Sequence, residues 1–490
     1  MSALLAAAPL AVILVGMGVL GRSAIVAGAA GLALALFLTF LTLAPEASDA
    51  AALLIGVGAE ALHSTVEILW IVLPALAIHE VQRNAGAIER IRDVLTSLTE
   101  DRRSQALLIA WFFGLFMEGA AGFGTPVALA APLLTGLGYA PVRAVVMALL
   151  GHAAGVSFGA IGTPVLAQAA IAGVGGGEIA IRTVALHAVC GPILLLALAR
   201  LADDAALSRT DVGRAGAAAL CFFLPSLGLA WAAGPELPTL GGALIGATAF
   251  VALLRPRGTG ALSVRQLSLD LGPYAVILAA VLLSRLIGPV RDALRSVSLG
   301  WSLDGGFAGT FEPLYHPGGV LLLGLTFGAV ASGRGAAAPA ALLAAGRRLA
   351  PVAAALLIML TLSRLMVHSG MIEALSTAAA AVGPVWPMLA PLIGVLGTFV
   401  TGSATASNIL FTELQASTAA NLALPATPLL AAQSFGAAIG NVAAPHNIIA
   451  GSAAVGLAGR EGEILARTAG PCVACCALGG ATVMALLVWF

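Results

Sequence analysis

The sequence predicts an all-α protein that crosses a membrane many times, and three observations support this fold class. Sixty per cent of the 490 residues are hydrophobic and only 9% are charged, whereas about a quarter of the residues in a soluble chain are charged. Apolar runs of membrane-spanning length recur along the whole chain. The 59 glycines suit the close packing of membrane helices. Helices are the expected elements because a helix satisfies its own backbone hydrogen bonds in lipid.

Twelve apolar runs have the length of roughly 17–25 residues that a membrane-spanning helix needs. They lie near residues 3–20, 23–43, 53–79, 144–171, 182–201, 215–233, 238–254, 272–290, 318–332, 350–368, 427–456 and 469–489. Two further apolar stretches, 105–137 and 385–421, are interrupted by glycine, proline and polar residues. We expect these two to form re-entrant hairpins, which enter and leave the membrane on one side. Residues 1–490 are then a single integral membrane domain.

The arginines test this topology, because cytoplasmic loops of membrane proteins are enriched in basic residues. With the N-terminus outside, 18 of the 23 basic residues fall in cytoplasmic segments, including Arg22. If one of the two interrupted stretches crossed the membrane once, every later loop would change sides and the bias would disappear. The arginines therefore favour two hairpins in a multi-pass protein of the cell membrane.

Three short sequence patterns recur in the same order in the two halves of the chain. Gly86-Ala-Ile-Glu resembles Gly370-Met-Ile-Glu, and the same relation links 114–119 with 397–402 and 157–162 with 434–440. The topology places the first Gly-x-Ile-Glu inside and the second outside, so the repeats are predicted to be inverted. They span about 53–201 and 338–490, with linking spans within 215–332. Inverted repeats with interrupted helices are typical of secondary transporters; a duplication in a non-transporting membrane protein is the alternative.

Each predicted hairpin has helix-breaking and polar residues at its centre, and each is followed by a span with a similar break. The breaks are Gly159–Pro164 and Gly440–Asn447. The N-terminus of a half-helix has free N–H groups and a partial positive charge, which suit a carboxylate. We therefore predict a site for a small carboxylate, with merely flexible helix ends as the alternative. Its residues are Gly124, Thr125, Pro126, Thr163, Ser403, Thr405, Ser407, Asn408, Asn441 and Asn447.

Ionisable side chains inside membrane spans are candidates for function. Glu118 and His446 are the predicted proton carriers, because burial favours a neutral carboxyl group and histidine titrates near neutral pH. The alternative for each is a buried polar group satisfied by its neighbours. The same alternative holds for the other ionisable residues in the spans, which are Glu60, His63, Glu67, His152, Arg285 and Arg364.

Composition and motifs argue against other classes of protein. The formal net charge is zero, so the sequence gives no indication of a nucleic-acid partner. Cys472, Cys475 and Cys476 lack a second cysteine pair or a nearby histidine, so we expect reduced helix residues, with no metal and no cofactor. An enzyme or a channel remains a third class, but the sequence has neither a catalytic constellation nor a ring of pore charges.

At these residues the chain resembles the L-lactate permease family, which includes glycolate permeases, over most of its length. The most specific part runs from Thr99 to Val127 and contains Glu118-Gly-Ala-Ala-Gly-Phe-Gly-Thr-Pro; the segments 234–238 and 401–403 match as well. The resemblance implies proton symport of short 2-hydroxy monocarboxylates (L-lactate, glycolate, D-lactate). It also implies a fold like that of the ion-transporter superfamily, in which one domain often moves against the other. A homodimer is a candidate assembly.

The sequence departs from the family pattern at three positions in the second half. Ala404 stands where an aspartate is common, Asn441 where a lysine is common, and His446 where a glutamine is usual. An acid and a base are absent together, which indicates a lost pair. Two functions are therefore expected: a proton-coupled importer of lactate or a related acid, or a carrier of another organic anion, with sodium as a candidate coupling ion. His446 is a hypothetical substitute for the missing proton-handling group.

Overall fold

A computed structural model describes residues 2–43, 47–122, 124–254, 264–331, 333, 335–457 and 459–488. Almost every described element is a helix. Nine helical segments within these residues are long and apolar enough to cross a membrane, and five shorter apolar helices accompany them. The prediction of an all-α polytopic membrane protein is confirmed. The count of twelve crossings and two re-entrant hairpins stays a prediction.

The helices follow one another with short connections. The first three are α1 (Ala3–Gly18), α2 (Ala24–Leu43) and α3 (Ala47–Asn84). Next come α4 (Ala87–Ser97), α5 (Arg102–Ala106), a π-helical segment (Leu107–Phe113), α6 (Gly114–Ala120), α7 (Thr125–Gly136), α8 (Pro141–His152), a 3-10 segment (Ala153–Phe158), α9 (Gly159–Ala172) and α10 (Gly176–Ala202). The middle of the chain forms α11 (Arg209–Ala233), a 3-10 turn (Gly234–Glu236), α12 (Pro238–Leu254), α13 (Val264–Leu286), α14 (Gly288–Arg295), β1 (Leu299–Leu303), β2 (Phe307–Phe311) and α15 (Pro317–Ala331). The last part forms α16 (Ala337–His368), α17 (Met371–Ala380), a 3-10 turn (Gly383–Val385), α18 (Trp386–Thr401), α19 (Ala404–Asn421), α20 (Ala426–Gly440), α21 (Pro445–Ala454) and α22 (Glu461–Val488).

The segment from α5 to α7 reverses direction at its centre, and we call it the first hairpin. Gly122 (φ +58°) and Gly124 (φ +80°) have the left-handed backbone that a tight reversal needs. The beginning and the end of the segment meet, because the Tyr139 hydroxyl donates to the Arg102 carbonyl oxygen. The Arg102 guanidinium lies 4.4 Å from the centre of the Tyr139 ring. Burial raises the pKa of Tyr139 to about 12, so the hydroxyl stays protonated for this bond.

α18 and α19 form the second hairpin, which turns at Gly402 (φ +69°). Residues at increasing distance on either side of the turn are bonded across it. The Ser407 hydroxyl donates to the Gly394 carbonyl oxygen at 2.8 Å. Further out, Trp386 Nε1 donates to Gln415 Oε1 at 3.0 Å. The two helices are therefore antiparallel, and both of their outer ends lie at the same end of the hairpin.

The order of elements after α4 recurs after α17. The helices α4, α6, α7, α8, α9 and α10 correspond in order to α17 to α22, and a left-handed glycine precedes both α4 and α17 (Gly86, φ +67°; Gly370, φ +73°). Cys190 Sγ donates to the Cys475 carbonyl oxygen at 3.5 Å, and Cys475 Sγ donates to the Cys190 carbonyl oxygen at 3.9 Å. Reciprocal contact between corresponding residues is what a two-fold relation produces. On this basis we propose that the two halves are inverted repeats.

A two-stranded β-hairpin in the connection between α14 and α15 is an element that was not predicted. Leu303 pairs with Phe307 at its turn, which contains two glycines with left-handed backbone. Phe307 is buried, and its ring occupies the space beside Gly56 of α3. The ring of His368, at the end of α16, lies 4.9 Å from the ring of Phe307. The β-hairpin thus covers adjacent ends of α3 and α16.

Candidate functional site

A cavity of about 800 Å³ lies where the tips of both hairpins, the break inside α9, the break after α20, and the connection between α1 and α2 come together. Residues that are distant in the sequence line the same cavity, because the central turn of each hairpin lies beside it. Eight of the twelve predicted site residues line it: Glu118, Gly124, Thr163, Ser403, Thr405, Asn441, His446 and Asn447.

The first break lies inside α9. Ala160, Ile161 and Gly162 have left-handed backbone, with φ values of 43°, 57° and 82°. Pro164 follows, and it has no N–H group to donate to the carbonyl oxygen of Ala160. The Thr163 hydroxyl donates to that oxygen instead, at 2.7 Å. Left-handed backbone costs roughly 1–2 kcal/mol for a residue with a side chain, so the surrounding packing must hold this turn in place.

The second break separates α20 from α21. Pro445 occupies the first turn of α21, where its missing N–H group costs no hydrogen bond. Asn447 closes the turn, since its Nδ2 donates to both the backbone oxygen of Asn441 (3.2 Å) and the Oδ1 of Asn441 (2.6 Å). The break therefore presents two asparagine side chains to the cavity in a fixed orientation.

Each hairpin contacts the break that belongs to the other half of the chain. In the first hairpin, a Cβ placed on Gly124 would lie 3.8 Å from Asn447 Oδ1 of the second break. In the second hairpin, Asn408 Nδ2 donates to the Pro164 carbonyl oxygen of the first break at 3.1 Å. The four elements are thus joined into one site.

Glu118 of α6 brings a carboxyl group to the cavity wall. Only 5% of the residue is exposed. Glycines make room for the carboxyl group: a Cβ on Gly159 would overlap Glu118 Oε1, and a Cβ on Gly122 would lie 3.5 Å from it. Within the described part of the chain, no hydrogen bond or ion pair engages this carboxyl group, and it lines the cavity.

Four predicted site residues shape the hairpins from behind the wall. Ser407 and Asn408 are fully buried in α19, and their side chains donate to backbone carbonyls of α18 and of the first break. The Thr125 hydroxyl donates to the Gly122 carbonyl oxygen at 2.8 Å, inside the turn of the first hairpin. Pro126 is buried in the first turn of α7. These residues hold the tips in shape.

Arg22 lines the cavity together with Ser23, although its place in the sequence predicts only a cytoplasmic loop. A turn fixes its backbone, because its N–H donates to the Gly16 carbonyl oxygen at 2.8 Å and Gly21 is left-handed (φ +59°). The loop touches the second hairpin near Val400, which lies 3.6 Å from a Cβ built on Gly18. The contact joins residues far apart in the sequence, so no local pattern indicates it.

Among the remaining ionisable candidates, those of α3 and α16 have side-chain partners away from the cavity. Glu60 lies 3.1 Å from His368, and Arg364 lies 3.3 Å from Glu413. His63 faces Glu67 at 3.7 Å. These contacts agree with the interpretation of satisfied polar groups between α3, α16 and α19. The charges of the described residues that line the cavity are therefore Glu118 and Arg22, with His446 as a titratable group.

Comparison with known proteins assigns the architecture to a family. The family profile described as L-lactate permease matches residues 2–260 and 306–489. The chain belongs to the L-lactate permease family. It is 30% identical to an L-lactate permease of Bacillus subtilis, over 95% of this chain and 92% of the relative. It is 29% identical to the glycolate permease GlcA of Escherichia coli, over 96% of this chain and 92% of the relative.

A solved transporter shares the fold. The YdaH transporter of Alcanivorax borkumensis superimposes with a TM-score of 0.51 at 15% identity, covering 89% of this chain and 87% of that protein. At this identity the match shows a shared fold only. The family and the apolar helices indicate that the chain is a transporter and a multi-pass protein of the plasma membrane.

Proposed function

We propose that the protein is a proton-coupled symporter of L-lactate or a related short 2-hydroxy monocarboxylate, such as glycolate or D-lactate. One observation carries the proposal: two hairpin tips and two helix breaks surround a single cavity that holds an arginine and a buried carboxyl group. The substrate class is supported by relatives named L-lactate permease and glycolate permease.

The second hairpin supplies the group that would bind the substrate carboxylate. The Ser403 hydroxyl accepts from Ala406 N–H at 3.3 Å and so begins α19 at the cavity. The N–H groups of Ala404 and Thr405, in the first turn, have no carbonyl oxygen within the helix and are available to an anion. Arg22, which also lines the cavity, adds a positive charge and planar donors that match a carboxylate.

The amide and hydroxyl groups of the breaks suit the 2-hydroxyl group of such a substrate. Thr163, Asn441 and Asn447 line the cavity, and amides both donate and accept hydrogen bonds. A site that bonds a hydroxyl group rejects analogues that lack one, because its own polar groups are then left unpaired. The same site therefore favours 2-hydroxy acids over simple fatty acids.

Glu118 and His446 are the predicted carriers of the coupled proton. The Glu118 carboxyl group is buried at the cavity wall, and protonation removes the cost of burying its charge. His446 is exposed to the cavity, where its Cβ is 2.8 Å from a Cβ built on Gly402. Movement of one proton with one monocarboxylate is electroneutral, so the loaded carrier returns without net charge.

Uptake of labelled L-lactate by proteoliposomes tests the function. We expect accumulation when the outside is more acidic than the inside, with no effect of an imposed sodium gradient, and competition by unlabelled glycolate and D-lactate. Protein-free liposomes are the control. Accumulation driven by sodium alone, or of another organic anion in place of lactate, would support the alternative carrier. Absence of flux for every 2-hydroxy acid would refute the proposed substrate class.

An Arg22→Gln variant is expected to raise the KM for lactate by roughly tenfold to a hundredfold. A hydrogen bond to a charged group contributes about 1.5–3 kcal/mol, and about 1.4 kcal/mol corresponds to a factor of ten. The matched control is Arg347→Gln, which removes an exposed arginine of α16 that is not among the cavity residues. Equal KM values for the two variants would show that Arg22 does not bind the substrate.

A further inference from the structure

His152, the last residue of α8, is 1% exposed and lies against the second break. Its Nδ1 is 2.7 Å from the backbone oxygen of Ala148. Its Nε2 is 3.4 Å from Asn441 Oδ1, and Asn441 lines the cavity. A buried imidazole ring therefore touches the substrate cavity through one amide.

The contacts of this ring are those of a proton donor at both nitrogens. A backbone carbonyl oxygen can only accept, so Nδ1 carries a hydrogen. In a neutral imidazole, Nε2 is then an acceptor. The atom it faces, Asn441 Oδ1, is an acceptor as well. All contacts of the ring are complete only when Nε2 also carries a hydrogen, which makes His152 a cation.

The orientation of the Asn441 amide is fixed by its other neighbour. Asn447 Nδ2 lies 3.2 Å from the backbone oxygen of Asn441 and must donate to it. The same Nδ2 lies 2.6 Å from Asn441 Oδ1. Rotating the Asn441 amide would point two NH2 groups at each other. Rotating both amides would point Asn447 Oδ1 at a carbonyl oxygen, so a neutral His152 leaves one contact unsatisfied in every arrangement.

We propose that His152 is the residue that binds the coupled proton, in place of Glu118 or His446. It is protonated when a carboxylate occupies the cavity beside Asn441. Without that counter-charge the ring is neutral and leaves its contact with Asn441 Oδ1 unsatisfied. This inference rests on the proposed function. A buried cation without a counter-charge is costly, so the substrate anion and the proton each favour the binding of the other, as reciprocal coupling requires.

The elements packed around α8 bring few charges that compete with this coupling. Their buried titratable groups are Glu118 on α6, His187 and Cys190 on α10, and three cysteines on α22; His446 begins α21 at the cavity. The sequences of α7, of α20 and of the π-helical and 3-10 segments that flank this region contain no titratable residue. Glu118 is the carboxyl group among these buried residues, and a charge on the substrate adds a second negative partner for His152.

A His152→Gln variant separates proton coupling from substrate movement. Glutamine keeps an NH2 donor for Asn441 but binds no proton. In proteoliposomes we expect exchange of labelled for unlabelled lactate at equal pH to continue, with a higher KM because the variant lacks the cation that favours binding of the anion. Accumulation driven by a pH gradient should fall at least tenfold. In weakly buffered detergent solution, lactate binding by the wild type should take up a proton, and binding by the variant should not.

His187→Gln is the matched control, since His187 is also 1% exposed but bonds Ser157 Oγ at 2.9 Å and packs on Phe435. The His187→Gln variant should retain both lactate exchange and the accumulation driven by a pH gradient. Wild-type accumulation by His152→Gln would overturn the inference. So would loss of lactate exchange in both His152→Gln and His152→Asn, because His152 would then serve the structure of the site. If the wild type itself shows no accumulation driven by pH, proton symport fails first, which is a distinct result.

Discussion

A Gly162→Ala variant is expected to lose about 2–4 kcal/mol of folding stability and nearly all transport. Gly162 has φ +82°, and a Cβ there would overlap the carbonyl group of Pro235. Alanine pays about 1 kcal/mol or more for left-handed backbone. The overlap adds about 1–3 kcal/mol, as overpacking typically does, because Pro235 presents backbone that no side-chain rotation can move away. Thermal unfolding in detergent, monitored by circular dichroism or by the fluorescence of a dye that does not react with thiols, measures the loss of stability.

Gly173→Ala is the matched control for this prediction. Gly173 ends the same helix, has φ +64°, and has no described atom within 4 Å of a Cβ built on it. The Gly173→Ala variant therefore loses only the backbone contribution, about 1 kcal/mol of folding stability, and should transport lactate normally. Equal losses of stability in the two variants would contradict the assigned role of the contact between the first break and the 3-10 turn Gly234–Glu236.

The features of this site that the sequence predicted well are those with a local signal. Glycine, proline and polar residues inside long apolar runs mark both hairpin tips and both breaks, since each one interrupts helix bonding wherever the chain folds. The structure brings these four interruptions to one cavity. Whether a residue faces the cavity or a neighbouring helix is less predictable. Ser407 and Asn408 were predicted to line the site, but the packing of α18 and of the first break against α19 turns both side chains away from the cavity.

Contacts between segments far apart in the chain had no such signal. Arg22 reaches the cavity because the connection between α1 and α2 packs beside the second hairpin. His152 was predicted as an ionisable residue in a span, but its relation to Asn441 depends on two helices from different halves. The β-hairpin formed by β1 and β2 is held on α3 by Phe307, and such long-range packing has no periodicity to detect.

Two of the three departures from the family pattern, at Ala404 and Asn441, can be interpreted from their place in the cavity. Ala404 and Asn441 both line it, so the acid and the base that are common in the family would both belong to this cavity. With both absent here, the charged and titratable groups that the described residues place at or beside the cavity are Arg22, Glu118, His152 and His446. With fewer permanent charges in the site, substrate binding and proton coupling depend more strongly on each remaining charge. Substitution of Arg22 therefore tests substrate binding, and substitution of His152 tests proton coupling.

An Arg285→Met variant is expected to lose about 3–5 kcal/mol of stability, the usual cost of leaving one charge of a buried ion pair without its partner. Arg285 Nη2 lies 2.6 Å from Glu236 Oε1, with side chains only 11% and 5% exposed. The other Glu236 oxygen has no hydrogen-bond partner among the described residues. Removal of Arg285 would therefore strand a carboxylate beside the first break. Thermal unfolding and lactate uptake are the measurements.

Two further variants separate the charge effect from simple loss of contact. Arg295→Met removes a guanidinium that packs on the same Tyr315 ring, 4.9 Å from its centre against 3.8 Å for Arg285. Its partner Glu312 is more accessible, so the variant should lose no more than about 1 kcal/mol. The double variant Glu236→Gln/Arg285→Met removes the stranded charge and should regain most of the stability. If the double variant regains stability but does not transport lactate, the ion pair positions the turn Gly234–Glu236 against Gly162. If Arg285→Met loses no more stability than Arg295→Met, the buried pair does not stabilise the fold.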